Sequence, residues 1–329
     1  MNNSYIIIMS KSIIFDEKYN RATLLPIQDH NLWELHKKQE SCFWTADGID
    51  LSSDRDNFKK LPKNYQHFIK NILAFFAWSD GVVSENIMER FLKEVKMLEV
   101  KYFYQFQGMM ENIHAEVYSR LIDNYIDDVD EKNILFQAGE TMPCMIKKRK
   151  WATDWITSNA SFAKRLIAFA IVEGIFFSGA FCAIYFFKEQ NILHGLTQSN
   201  EYIARDEGLH TEYACYLYKN YFPDDEKLSQ NEVNEMIDEA VDLEDEFINI
   251  SLPCKLVGMN SNDMKEYIRF VADRLLRSLG YDKYYYAKNP FPFMEKISIE
   301  EKTNFFEKRN TNYKMATINN ISFIPDDDF

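Results

Sequence analysis

Only five cysteines occur in the 329 residues: Cys42, Cys144, Cys182, Cys215 and Cys254. They are scattered, odd in number and never spaced Cys-x-x-Cys, which excludes a disulfide framework and predicts reduced thiols in a cytoplasmic protein. Glycine is scarce too, with ten residues, no Gly-x-Gly pair and no Walker-type loop, so no phosphate-cradling nucleotide loop is predicted. Basic charge is in deficit: 38 Lys and Arg against 51 Asp and Glu leave a net charge of −13. That balance argues against a nucleic-acid surface and against attraction to acidic membranes. The N-terminal run from Tyr5 to Met9 is too short for a signal-peptide core and has no basic start.

What the chain does hold is apolar and aromatic bulk. Hydrophobic residues make up 46%, with 26 Phe and 19 Tyr, enough for a large aromatic interior. Apolar residues recur at three- and four-residue intervals, which predicts helices over about 64–95, 101–126, 131–140, 144–157, 161–189, 198–221, 226–250 and 261–279. Strand patterns are few, and neither repeats nor low-complexity linkers interrupt the pattern. The expectation is an all-α bundle over residues 25–300, preceded by an extension (1–24) and followed by a flexible, acidic tail (301–329).

One stretch tests that expectation. From Leu166 to Phe187 nearly every residue is apolar or small, and 22 residues at 1.5 Å each give about 33 Å of helix, long enough to cross a bilayer. Yet Glu173 lies inside it, and a central acid costs about 2.5–3.5 kcal/mol to insert into lipid. A helix buried on all sides within the bundle is the better reading, so no membrane partner is predicted. The carboxylate then needs a partner in the core.

Other long helices carry acids in apolar surroundings as well. Asp80 follows "LAFFAWS", Glu111 precedes His114 by three residues, and Glu207 precedes His210 by three. Positions i and i+3 share a helix face, so each Glu-x-x-His pair offers one oxygen and one nitrogen ligand to the same point. With Asp80 and Glu173 contributed singly, this is the donor pattern of ferritin-like di-metal carboxylate bundles, Asp standing for one Glu. Spacings of 31, 62 and 34 residues between Asp80, Glu111, Glu173 and Glu207 let successive helices run antiparallel. Four carboxylates balance two divalent cations, and an oxygen-rich set with two imidazoles and no thiolate suits iron or manganese. Tyr118, four residues past His114, falls on the same helical face, where a phenol would sit beside the metals.

The segments "FWTADGIDLS", "LAFFAWSDGVVSENI", "MMENIHAEVYSRLIDNYI", "ETMPCM", "VEGIFFSGAF", "SNEYIARDEGLH" and "KTNFFEKR" resemble the small, radical-generating subunit of class I ribonucleotide reductase, in its eukaryotic-type branch. The similarity runs from about residue 24 to the C-terminus. It implies a homodimer that holds two iron ions (or manganese) on Asp80, Glu111, His114, Glu173, Glu207 and His210. It further implies that O2 is used to form a radical on Tyr118, which passes to a large subunit for reduction of ribonucleoside diphosphates. By the same resemblance Phe177, Phe181 and Ile203 form the radical pocket. Asp206 accepts from His114, Trp44 binds the other side of Asp206, and Tyr313 relays the electron onward. The last residues, with Phe323 and Phe329 as anchors, would dock on the large subunit; Pro325 departs from the family's tail. The basic run "KKRK" (147–150) is expected to form a solvated helix face. Two other classes use such a bundle: iron storage, and an O2-dependent oxygenase or desaturase acting on an organic substrate.

Overall fold

Helix ends follow local side-chain chemistry along most of the chain. Asp29 accepts from the Leu32 amide at 2.9 Å and Asp128 from the Glu131 amide at 2.8 Å, each capping the helix it precedes. Asn260 accepts from Asn262 and Asp263, both at 3.0 Å, and Pro143 occupies the first turn of its helix, where its missing N–H costs nothing. At the other end, Gly280 takes φ +98°, its amide reaches Arg277 at 3.2 Å, and the Tyr281 amide reaches the Leu276 carbonyl at 2.9 Å. That paired bond closes a helix C-terminus and needs a residue free to adopt positive φ.

The structure, a computed structural model, describes residues 11–251 and 259–295. Among these residues no β-strand occurs, and the helices are α1 (His30–Glu40), α2 (Asp54–Lys60), α3 (Lys63–Asn86), α4 (Leu92–Glu94), α5 (Leu98–Tyr125), α6 (Val129–Phe136) and α7 (Ala138–Thr141). They continue with α8 (Pro143–Thr157), α9 (Phe162–Ile171), α10 (Ser178–Glu189), α11 (His194–Tyr221), α12 (Gln230–Ser251) and α13 (Ser261–Leu279). All belong to one of two units into which the chain divides, Met1–Pro290; the second is Phe291–Phe329. Tyr313, Phe323, Pro325 and Phe329 lie outside the described residues.

Two of the expected helices are interrupted by π-turns. The helix predicted over 64–95 is α-helical only to Asn86 and then widens over Ile87–Phe91. The apolar helix predicted over 161–189 is α9 and α10 joined by a π-turn, Val172–Phe176, with Glu173 within it. Period counting cannot register one extra residue in a turn, since both flanks keep their own 3.6-residue rhythm. Of the most apolar window in Phe162–Glu189, 89% is buried inside the protein, which makes it a core helix. The helix predicted from 226 begins at Gln230, because Asp224–Glu226 forms a separate 3-10 turn after Pro223.

The basic run is corrected at one position. Lys147, Arg149 and Lys150 are solvated, but the Lys148 side chain is wholly buried and paired with Glu244 at 2.6 Å. It falls on the inner stripe of α8 with Cys144, Met145 and Ala152, so helical phase overrides the local run of charge.

A remote cap ties the helices that carry the candidate ligands. The buried Asp54 carboxylate accepts from the amides of Gly195 (3.0 Å) and Leu196 (2.9 Å) at the start of α11, and from the Tyr125 hydroxyl (2.8 Å) at the end of α5. An anion at a helix N-terminus satisfies amides that have no partner in their own helix. It also sets α11 against α5. Asp54→Ala should cost about 3 kcal/mol, since it strands two amides and a phenol in the interior; urea unfolding of the metal-free chain reads this directly.

Candidate metal centre

Six acid and imidazole side chains are brought together in the interior. Asp80 comes from α3, Glu111 and His114 from α5, Glu173 from the π-turn, and Glu207 and His210 from α11; each is no more than 2% exposed. Their donor atoms form two overlapping groups, Asp80–Glu111–His114 and Glu111–Glu173–Glu207–His210, with all atoms of a group within 4.8 Å of one another. Glu111 belongs to both. His210 Nδ1 lies 3.1 Å from Glu111 Oε1 and 3.2 Å from Glu207 Oε2. His114 Nδ1 lies 3.3 Å from Glu111 Oε2 and 3.1 Å from Glu207 Oε1. Glu111 and Glu207 therefore stand between the two imidazoles, with Asp80 and Glu173 at the flanks.

The electrostatics of this cluster suit a bound cation. Asp80 Oδ1 and Oδ2 and Glu173 Oε2 are buried without a hydrogen-bond partner. Burial, and then the charge of Glu111, pushes the Asp80 carboxyl well above the usual range; burial and Glu207 do the same to Glu173. For Glu111, burial also pushes upward, but hydrogen bonds from His114 and His210 outweigh it and hold the carboxyl at about 2. Both imidazoles are raised well above 6.5 despite burial, by hydrogen bonds to these carboxylates and, for His114, to Asp206. Orphaned carboxylate oxygens beside imidazole Nδ1 atoms fit a pair of divalent cations, which would remove a burial cost of several kcal/mol per ion. No thiolate joins them among the described residues, so hard, oxygen-preferring metals suit the donor set.

Behind the donors runs a set of orienting bonds. The far nitrogen of His114, Nε2, lies 3.2 Å from Asp206 Oδ2, and Trp44 Nε1 donates to the same oxygen at 2.7 Å. The expectation that Trp44 takes the other side of Asp206 is corrected: Oδ1 is held by Arg205, through Nε at 3.1 Å and Nη2 at 2.9 Å. A carboxylate that accepts from a ligand imidazole fixes its tautomer and ring orientation. The Trp44 and His114 rings also stack, 5.9 Å apart and 20° from parallel. On the other flank Gln107 donates to Glu173 Oε1 at 2.7 Å. Gln107 lies one turn before Glu111 on α5, so its spacing alone would have flagged it; nothing in the sequence marks Arg205, and only the fold shows its bonds to Asp206.

Tyr118 is 1% exposed, and its hydroxyl has no hydrogen-bond partner. Burial raises the phenol well above its ordinary pKa of 10.0, with Asp80 the largest charge acting on it. Phe76 stacks on its ring at 4.5 Å and 3°. Phe181 stacks on Phe76 at 4.9 Å, and Phe177 stands edge-on to Phe76 at 5.6 Å, so both wall the phenol through Phe76. Ile203 is buried on α11 one turn before Glu207. Phe76, the ring in direct contact, was not separable by sequence from its neighbours in "LAFFAW".

The family model described as ribonucleotide reductase, small chain, matches residues 21–290. This chain belongs to that family. It is 53% identical over 305 residues to the ribonucleoside-diphosphate reductase small chain of Trypanosoma brucei brucei, covering 93% of this chain and 90% of that one. The small chain of Variola virus is 52% identical over 297 residues, covering 90% and 92%. Among solved structures, the ribonucleotide reductase Rnr4 homodimer from Saccharomyces cerevisiae aligns with a TM-score of 0.78 at 35% identity, over 88% of this chain and 93% of that one. The all-α, ferritin-like expectation therefore stands, and the chain is a small subunit of class I ribonucleotide reductase. Within this small subunit, a neutral side chain at the cluster should separate its two states. Asp80→Asn is expected to raise the thermal midpoint of the metal-free protein by about 2 °C, by removing about 1 kcal/mol of the cost of burying a carboxylate beside Glu111. The wild type should gain about 4 kcal/mol per site from divalent metal at 1,000-fold its Kd, and the variant clearly less; calorimetry with and without Fe(II) or Mn(II) compares them.

Proposed function

We propose that this small subunit holds two iron ions on Asp80, Glu111, His114, Glu173, Glu207 and His210, and that Tyr118 is the side chain that stores a radical for its large subunit. The observation that carries this reading is the phenol of Tyr118: buried, without a hydrogen-bond partner, stacked on Phe76, and acted on most strongly among nearby charges by Asp80. Bound iron with O2 supplies the one-electron oxidising power that amino-acid side chains lack. The chain's residues do the rest. Losing one electron and one proton turns the phenol into a neutral radical, and Asp80, the largest charge acting on the phenol, is suited to receive that proton on the carboxylate oxygen it does not give to iron. Phe76, Phe177 and Phe181 keep water and reductants from the ring, and dryness is what lets a radical persist.

Trp44, Asp206 and His114 form the route by which the oxidising equivalent leaves. Trp44 Nε1–Asp206 Oδ2 and Asp206 Oδ2–His114 Nε2 make an unbroken polar chain from the cluster to a partly exposed tryptophan. Tyr313 and the acidic tail, with Phe323 and Phe329, continue the route and the docking onto the large subunit in this reading. A homodimer, as in the yeast relative, and a cytoplasmic location complete it. Manganese satisfies the same donors. Storage and oxygenase readings, by contrast, leave the Trp44–Asp206 link and the walled phenol without a task.

Metal-free protein loaded with Fe(II) and exposed to O2 should give an electron paramagnetic resonance doublet near that of a neutral phenoxyl. Tyr118→Phe should bind the same metal and lose the signal together with at least 99% of turnover. A signal that survives in the variant would sink the assignment. Trp44→Phe should keep the signal and lose turnover with the large subunit by at least about 100-fold, and a synthetic peptide of residues 320–329 should compete with that subunit in an activity titration.

A further inference from the structure

The buried pair Lys148–Glu244 has no part in the chemistry above. Lys148 stands on α8 and Glu244 on α12, neither side chain is exposed, and Nζ donates to Glu244 Oε2 at 2.6 Å. Nζ also donates to the backbone carbonyl of Phe176 at 3.4 Å, and Phe176 is the last residue of the π-turn that contains Glu173. Three rings surround the ammonium: its nitrogen lies 3.6 Å from the centroid of Phe75, 4.5 Å from Phe247 and 4.8 Å from Phe176. Phe75 in turn meets Phe177 edge-on at 5.7 Å, and Phe177 meets Phe76, the ring stacked on Tyr118. Gly179 leaves room for the pair, since a Cβ there would lie 2.9 Å from Glu244 Oε1.

Cohesion alone does not call for this arrangement. Taking two charges out of water costs as much as their attraction returns, and apolar side chains of equal volume would hold the helices as well or better. A cation here does something an apolar group cannot: it donates to a carbonyl of the π-turn. That turn carries one residue more than an α-turn, which rotates the faces of α9 and α10 by about 100° relative to an unbroken helix. Glu173 reaches Glu207 and His210 only in that phase. Reversion to a regular helix would turn it away, so an external support for the widened turn bears on the donor set.

We propose that Lys148, held in place by Glu244, is a positioning residue that braces the Val172–Phe176 π-turn, and through it the orientation of Glu173 and the phenylalanine wall of Tyr118. The metal-binding part of its test rests on the function proposed above; the backbone part does not. In the metal-free chain, the double variant Lys148→Met with Glu244→Leu should fold, with a thermal midpoint within a few degrees of wild type. Its amides in 172–181 should exchange with deuterium about tenfold faster while the rest of the bundle is unchanged. Titrated with Fe(II), the wild type should take two equivalents, and the double variant should bind one of them about 10–100-fold more weakly, as loss of an outer support does. Gly179→Ala, which presses on Glu244 without removing a charge, is the second variant and should loosen the same amides. Wild-type exchange over 172–181 in whichever variant folds would overturn the brace. Failure of the wild type to take two equivalents would instead overturn the metal reading, leaving the exchange result to judge the brace alone.

Discussion

Four buried carboxylates enclosed within a few ångströms, with two imidazoles, are the constraint around which this molecule is organised. Ionised and alone, Asp80, Glu111, Glu173 and Glu207 would repel one another in a medium that screens charge poorly. Hydrogen bonds from His114 and His210 relieve Glu111, but the oxygens of Asp80 and one oxygen of Glu173 have no such relief. A bundle that keeps so costly a group at its centre needs rigid walls to hold it and a counter-charge to complete it. The long ligand helices, the remote Asp54 cap that ties α11 to α5, and the aromatic packing around Tyr118 are those walls.

The same constraint explains why polar bonds recur in layers outside the donors. Two donors are held by an outer group: His114 by Asp206, itself held by Trp44 and Arg205, and Glu173 by Gln107. A carboxylate or imidazole free to rotate would collapse onto its neighbour, and each outer bond removes that freedom. The layers differ on the two flanks. On the His114 side they lead outward, through Asp206, to the half-buried Trp44. On the Glu173 side they end in Gln107 and in the braced π-turn, a closed arrangement that only holds position.

Aromatic content serves more than one end here. Phe75, Phe76, Phe177 and Phe181 form a continuous ring cluster that is a core for α3 and α10 and, at the same time, the dry wall of the phenol. One edge of that cluster accepts the Lys148 ammonium on the face of Phe75, so the apolar interior also accommodates a charge. Packing, exclusion of water and electrostatic support thus share the same few side chains.

Much of this could be read from residues alone, because helical periodicity and i, i+3 spacing are local properties. Asp80, two Glu-x-x-His pairs and a lone Glu173 in an apolar helix pointed to one cluster, and the apolar run was separable from a membrane span by that single acid. Other features depended on which helices meet. Composition does not separate Lys148 from the solvated Lys147 and Lys150; it shares a helix stripe with Cys144 and Ala152, and only the packing of α8 on α12 supplies its partner Glu244. The π-turn at Glu173 adds one residue without changing composition, and Asp54 finds its partners 141 residues away at Gly195. Chain-local patterns name the candidate donors and the kind of ion they suit, whereas the pairing of distant elements decides which carboxylate stands between the two imidazoles and which outer groups hold the donors, because those contacts join residues far apart in the chain.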